Sequence, residues 1–262
     1  GYEMCARRLR REDVGKFDLS AWRAAGVGAE TIRPDVLEEF ATAFAPSGFK
    51  PGAFLACYGM AEASLAISFA SLGEGITVDR VERTPLSERG VAMPLNGPGD
   101  GSETDVTNTS RFVNCGTALP GIQVEVRDEQ GQVLPDRRAG VIFVRGTSIM
   151  SGYLGDRGKT RKVLSSDGWL DTGDIGYLVE GGIVIIGRKK DVIIIHGRNI
   201  WPQDLEHLAE ELSEIRIGDA CAFSIETPNR TEVAVMVVQY RELNAAKRTE
   251  CIHRLQGLIR EQ

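Results

Sequence analysis

Three short runs carry residues able to act on a nucleotide. The first is CYGMAEAS, Cys57 to Ser64, where an apolar stretch ends at Gly59 and Glu62 follows three residues later. That spacing puts Glu62 near a predicted helix start, where backbone N–H groups favour anions. A carboxylate beside a bound triphosphate is a natural Mg2+ ligand, because Mg2+ takes oxygen donors and shares itself with phosphates. The same residue also reads as a plain helix cap. The second run is WLDTGDIGY, Trp169 to Tyr177, where Thr172-Gly173-Asp174 predicts a tight turn between apolar segments. An Asp held there can accept hydrogen bonds from a ribose diol. Gly and Asp are equally what an ordinary hairpin turn requires. The third run is GRKKDVIIIHGRNIWPQDLE, Gly187 to Glu206. Arg188 is a permanent cation suited to a ribose or phosphate oxygen. Lys189, Lys190 and Asp191 form a charged knot between apolar strands at 183–186 and 192–195. Such a knot reads as a hinge or as an inert surface turn.

The elements around these runs change character along the chain. Residues 1–50 read mostly helical, with Pro34 at a helix start and apolar residues near a 3.6 spacing in DVLEEFATAF, Asp35 to Phe44. AFLACYG, Ala53 to Gly59, predicts a buried strand, and AEASLAISFASL after it a small-residue helix. Residues 73–110 are rich in Gly, Pro, Ser, Thr, Asn and Asp and predict a long functional loop. From Arg111 to about Arg188 the texture is β. IQVEV, VIFVRG and GGIVIIG supply strands, DEQGQ a hairpin turn, and the whole a small barrel or distorted sheet. After Lys190, strands at 192–195 and 234–238 alternate with helices opened by Pro202 and spanning 245–261, which predicts a small α+β domain.

Composition narrows the function classes. The 262 residues are 42% apolar and 26% charged, enough for a substantial core. A net charge of −6 makes a nucleic-acid or anionic-membrane partner a poor first expectation. Five scattered cysteines without a C-x-x-C pair predict reduced thiols and a cytoplasmic protein. His196, His207 and His253 show no metal-ligand spacing with them. No apolar run reaches the roughly 18 residues of a membrane span, and no signal peptide is expected.

The order of the motifs is more specific than any one of them. GVGAET (Gly26 to Thr31) and CYGMAEAS are followed by GTALPG (Gly116 to Gly121) and GVIFVRGTSIMSGYL (Gly140 to Leu154). WLDTGD and GRKKDVIIIHGRNIWPQDLE complete the series. Over nearly the whole chain this resembles the adenylate-forming enzymes: acyl-CoA synthetases, luciferases and peptide-synthetase adenylation domains. The fatty acyl-AMP ligases look most similar. Glu30 completes a GAE signature, Ala61 stands where most of the superfamily has Thr, and GRNIWPQDLE is close to that branch's form. The 59 positions from Glu62 to Gly121 (121 − 62) leave room for that branch's insertion, expected at 73–110.

The resemblance implies an α/β fold: the distal part of a large adenylation domain, an α/β layer plus distorted β-barrel, then the start of a small α+β C-terminal domain. The expected parts are 1–110, holding the insertion loop, a barrel-like 111–187, a hinge at 188–191, and a partial domain at 192–262. It implies ATP and Mg2+ as cofactors, a fatty acid as substrate and the phosphopantetheine thiol of an acyl carrier protein as acceptor. Gly28, Ala29 and Glu30 would line the adenine pocket, with Tyr58, Gly59, Met60 and Ala61 against the ring. Glu62 would serve Mg2+, Asp174 and Arg188 the ribose, and Lys190 the hinge. Two family features are missing: a Ser/Thr/Gly-rich phosphate loop followed by Lys, and a terminal Gly-Lys. Asp171 stands where Arg or Lys often precedes Thr-Gly-Asp. With a start at Gly1, these predict an internal segment of a larger enzyme, inactive and aggregation-prone alone. An acyl-CoA synthetase and a non-catalytic nucleotide-binding module stay open as alternatives.

Overall fold

The aromatic side chains of the first 60 residues set the first layer. The computed structural model describes residues 1–10, 12–95, 108–195, 198–227, 232–242 and 244–260. Helix α1 (Tyr2–Arg8) precedes strand β1 (Ala25–Val27) and helix α2 (Pro34–Phe44). Pro34 suits the first turn of α2, where its missing N–H leaves no bond unmade. The 3.6 period puts Leu37, Phe40, Ala41 and Phe44 on the buried face. Phe40 lies 5.0 Å from the rings of Tyr2 and Phe49 and 4.5 Å from that of Phe44. With Phe54 they form one cluster under β1, so the expectation of a mostly helical start misses a strand.

Nine strands then share one sheet. After β1 come β2 (Phe54–Met60), β3 (Leu65–Phe69), β4 (Thr77–Glu82), helix α3 (Arg83–Arg89) and β5 (Thr109–Ala118). They continue as β6 (Ile122–Arg127), β7 (Gly140–Gly146), helix α4 (Arg157–Val163), β8 (Leu170–Val179) and β9 (Gly182–Arg188). The order is β1-β2-β3-β5-β9-β8-β7-β6, with β4 added on β5. β1 and β2 pair in parallel, in a register that aligns Ala25 with Phe54. Irregular register at Tyr58/Gly59, Asn114/Thr117 and Val141/Phe143 marks bulges that bend and twist the sheet. β5 pairs with β3 and β4 on one side and with β9 on the other.

Three local expectations are corrected. AEASLAISFASL is not a helix. A single 3-10 turn (Ala61–Ala63) is followed by Ser64 at φ 59 and Leu65 at φ 121, and then β3. Two consecutive positive φ values cannot continue a right-handed helix, and sheet pairing overrides the helical propensity of the alanines. Thr172-Gly173-Asp174 is not a hairpin turn but a bulge inside β8. Val141 faces Ile175 and Phe143 faces Asp171, so the three residues lie opposite Ile142 alone. Gly173 takes φ +70 there. The stretch expected as a loop from 73 holds β4 and α3; its residues 96–107 lie outside the described residues.

Gly59 shows how tightly the sheet closes. A Cβ there would overlap the Leu65 carbonyl group on the neighbouring strand, and backbone cannot give way as a side chain can. Gly59→Ala is therefore expected to cost about 3 kcal/mol of stability, read as a lower midpoint in urea. An unchanged midpoint would mean that β2 and β3 separate freely at the bulge.

The chain divides into two compact units, Gly1–Ile186 and Gly187–Gln262. The second holds β10 (Ile193–Ile195), β11 (Arg198–Ile200), α5 (Pro202–Glu210), β12 (Ala220–Glu226), β13 (Glu232–Val238) and α6 (Ala245–Arg260). β10 and β11 form one antiparallel pair, and β12 and β13 another. Ile193, Leu205, Leu208 and Ala222 make its core. Pro202 opens α5 as the sequence predicts. His196 and Gly197, the second glycine turn, and Glu261 lie outside the described residues. No helix among the described residues is long and apolar enough to cross a membrane.

Candidate functional site

The ends of β1 and β2, the bulge within β8 and two connecting turns carry the predicted residues of the first unit. Gly28, Ala29 and Glu30 follow β1 directly, and Ala29 takes φ 70. A Cβ on Gly28 would stand 2.6 Å from the carbonyl oxygen and 2.8 Å from the Sγ of Cys57. Glycine is thus the residue that lets this turn lie against β2. Glu30 is exposed.

Tyr58 and Asp174 meet directly. Tyr58 is buried on β2, Asp174 is buried in the β8 bulge, and the Tyr58 hydroxyl donates to Asp174 Oδ2 at 2.7 Å. The bulge fixes that carboxylate. Thr172 Oγ1 donates to the Ile142 carbonyl at 2.8 Å and accepts the Asp174 N–H at 3.1 Å. Asp171 accepts the N–H of Gly173 at 2.8 Å, so the residue standing in place of a family cation braces the bulge instead. The sequence had offered Tyr58 and Asp174 as parts of two separate motifs. Their bond spans 116 positions, and neither motif alone signals it.

Glu62 sits on the 3-10 turn after Met60 and Ala61, with no helix start to cap, so the capping alternative loses its helix. The Tyr153 hydroxyl donates to Glu62 Oε1 at 2.9 Å. Two further bonds join the turn to the loop after β7. Met150 N–H donates to the Glu62 carbonyl at 2.7 Å, and Ser64 Oγ donates to the Ser148 carbonyl at 2.9 Å. The hydrogen bond to the Glu62 carboxylate, helped by desolvation, raises the Tyr153 phenol above its ordinary pKa, so it remains a donor. Tyr153 stands inside GTSIMSGYL, and nothing in that run by itself signals a role for it.

No group of three or more His, Cys, Asp or Glu side chains capable of holding a metal occurs among the described residues. An all-protein metal cage is therefore not what Glu62 belongs to. A single carboxylate with one oxygen engaged by Tyr153 keeps its other oxygen available, the donor set that suits Mg2+ shared with nucleotide phosphates. The residues present fit that ion.

Arg188 and Lys190 belong to the second unit. Arg188 ends β9 with its side chain exposed, and Lys190 is exposed in the turn that follows. The Asp191 N–H closes that turn on the Arg188 carbonyl at 3.0 Å.

Comparison with known proteins shows what the whole chain is similar to. The family model for AMP-binding enzymes matches residues 2–154. A Caulobacter vibrioides protein provisionally named an acyl-CoA synthetase is 48% identical over 238 residues, covering 90% of this chain and 40% of its own. The medium-chain-fatty-acid–[acyl-carrier-protein] ligase JamA of Moorena producens is 34% identical over 271 residues, covering 99% and 44%. A solved structure from a study of fatty acyl-adenylate ligases of E. coli and L. pneumophila superposes with a TM-score of 0.87 at 41% identity. It covers 99% of this chain and 45% of its own. The chain thus spans less than half the length of these relatives. Its mixed α/β architecture is that of their adenylation domains, and with more than half of its residues inside the matching family model the chain belongs to the AMP-binding enzymes.

Proposed function

We propose that the protein carrying this chain activates a fatty acid with ATP, releasing pyrophosphate and forming acyl-AMP, and passes the acyl group to the phosphopantetheine thiol of an acyl carrier protein. The observation that carries the reading is the buried Tyr58–Asp174 pair beside the Gly28–Glu30 turn. It brings an aromatic ring, a carboxylate and a backbone turn together within one unit. In this reading Gly28, Ala29 and Glu30 line the adenine, Tyr58, Gly59, Met60 and Ala61 pack against the ring, and Asp174 takes the ribose hydroxyls; Arg188 is a cation suited to a ribose or phosphate oxygen.

The fatty carboxylate attacks the α-phosphorus in line, and the bond to pyrophosphate breaks. Catalysis then consists of positioning and of stabilising charge on the phosphoryl oxygens. Glu62 would hold Mg2+, which would neutralise charge at those oxygens. Asp174 fixes the ribose so that the α-phosphorus lies on the line of attack. Lys190, with the turn at 188–191, acts as the hinge between the adenylating and transferring arrangements, and residues 73–110 act as the segment that disfavours CoA. The carrier-protein acceptor is supported by what JamA's name says of that relative. The name of the Caulobacter relative favours a second reading, in which CoA is the acceptor.

Product analysis separates them. The full-length protein is incubated with ATP, Mg2+ and mixed fatty acids, alone, with CoA, or with a phosphopantetheinylated carrier protein, and the products are read by mass spectrometry. Acyl-AMP that persists with CoA and disappears with carrier protein is the expected result. Conversion to acyl-CoA would select the second reading, and no adenylate at all would leave a nucleotide-binding module.

A further inference from the structure

We propose that Tyr153 is a positioning residue for the metal-binding carboxylate: its hydroxyl occupies Glu62 Oε1 and so presents the other oxygen, in one orientation, to the ion. The inference rests on the adenylation reading above but concerns a residue to which that reading gives no role. Three observations support it. The Tyr153 to Glu62 bond of 2.9 Å links positions 91 apart, so the fold and not local sequence brings them together. Both ends of that bond are fixed. Glu62 and Ser64 are tied through backbone carbonyls to the 148–150 loop, while the Tyr153 N–H donates to Thr160 Oγ1 at 2.9 Å. Thr160 in turn donates to the Asp156 carbonyl at 2.9 Å, which anchors Tyr153 to α4. Finally, the turn bearing Glu62 runs directly into two residues at positive φ, Ser64 and Leu65, and Leu65 is largely exposed. Strain of that kind persists where the surroundings over-determine it, and here the three hydrogen bonds from the 148–153 loop do so.

The geometry explains why a phenol suits the position. A carboxylate on an exposed turn has two equivalent oxygens and a free χ3. A neutral donor on one of them removes the rotational choice without competing for the charge, whereas a lysine there would neutralise the ligand. Hydrogen-bond partners of metal ligands act in this way.

The test uses the full-length protein with a non-hydrolysable ATP analogue and Mn2+ as the probe, followed by electron paramagnetic resonance. Tyr153→Phe removes only the hydroxyl and is expected to weaken Mn2+ binding about tenfold. Affinity for the analogue without metal, and the thermal midpoint, are expected to stay unchanged. Excess Mg2+ is expected to restore most of the adenylation rate. Mn2+ affinity in the variant within about twofold of wild type, with wild type binding normally, would overturn the role of Tyr153 and leave the adenylation reading intact. Equal weakening of metal-free analogue binding would also overturn it, since that marks a general loss of site structure. Failure of the wild-type protein to bind Mn2+ with the analogue would overturn both.

Discussion

Glu62→Gln is expected to slow adenylate formation by about 100-fold or more, the scale on which fixed electrostatic groups stabilise charge developing at transferring oxygens. The substitution is chosen because it changes charge and little else. Gln has the same length, and its amide oxygen can still accept the Tyr153 hydroxyl that now bonds Glu62 Oε1. The backbone of residue 62 keeps its bond from Met150, so the turn is expected to fold as before. What disappears is the negative oxygen available to the ion. No group of three or more acidic, His or Cys side chains that could hold the ion without the nucleotide occurs among the described residues. The measurement is pyrophosphate release by the full-length protein as Mg2+ is raised. Partial recovery at high Mg2+ is expected if the nucleotide phosphates supply the remaining ligands. A rate within threefold of wild type (about 0.6 kcal/mol on the barrier) would show that the ion is held elsewhere and return Glu62 to a structural part.

How far the sequence reaches depends on how local each contact is. Strands β2, β6, β7 and β9 follow from apolar composition and neighbouring glycines, and β13 from apolar composition, because those signals act within a few residues. Helix α2 is legible for the same reason: Leu37, Phe40, Ala41 and Phe44 repeat with the helical period. β3 is not legible. Its local preference is helical, and the decision comes from Gly59 and Gly116, whose missing side chains let three backbones approach at Leu65 and Phe69. The bulge in β8 is a similar case. Thr-Gly-Asp reads as a turn in isolation, and only pairing with β7 on both sides makes it an interruption within a strand.

The candidate site divides along the same line. Ordered motifs point to Tyr58, Glu62 and Asp174 individually. The bonds that orient them, Tyr58 to Asp174 and Tyr153 to Glu62, join residues 116 and 91 positions apart. Nothing in a single sequence links such pairs, since each partner could satisfy its polar atom with water until the sheet closes. The two halves of this chain's chemistry are thus readable as residue types, while their geometry is a property of the nine-stranded sheet.

A second large effect is expected far from those motifs, at Asp79. This residue of β4 receives the Tyr177 hydroxyl at 2.6 Å and both terminal nitrogens of Arg137, at 3.2 and 3.3 Å. Tyr177 is completely buried, and burial together with Asp79 drives its phenol far above the ordinary value, so it stays a donor. Arg137 holds φ +63 and exchanges backbone bonds with Ala92 and Leu178, which zips residues 90–92 onto the loop before β7. Asp79→Ala would leave a cation and a hydroxyl facing each other without their acceptor. The cost is expected to be about 3 kcal/mol, the low end for breaking a buried pair, because the Arg137 side chain keeps 30% exposure against 13% for Asp79. Tyr177→Phe should cost only about 1 kcal/mol, since Arg137 still satisfies the carboxylate. Urea unfolding compares the two, and hydrogen exchange locates the change: the amide of Ala92 is expected to lose protection in Asp79→Ala and keep it in Tyr177→Phe. Equal, small losses in both would mean that water screens the ion pair as it does on open surfaces. If the larger loss is found, the Asp79 cluster reinforces the β4–β5 ladder and the buried Val81 and Leu86 in holding the described part of the stretch proposed to govern acceptor choice to the sheet.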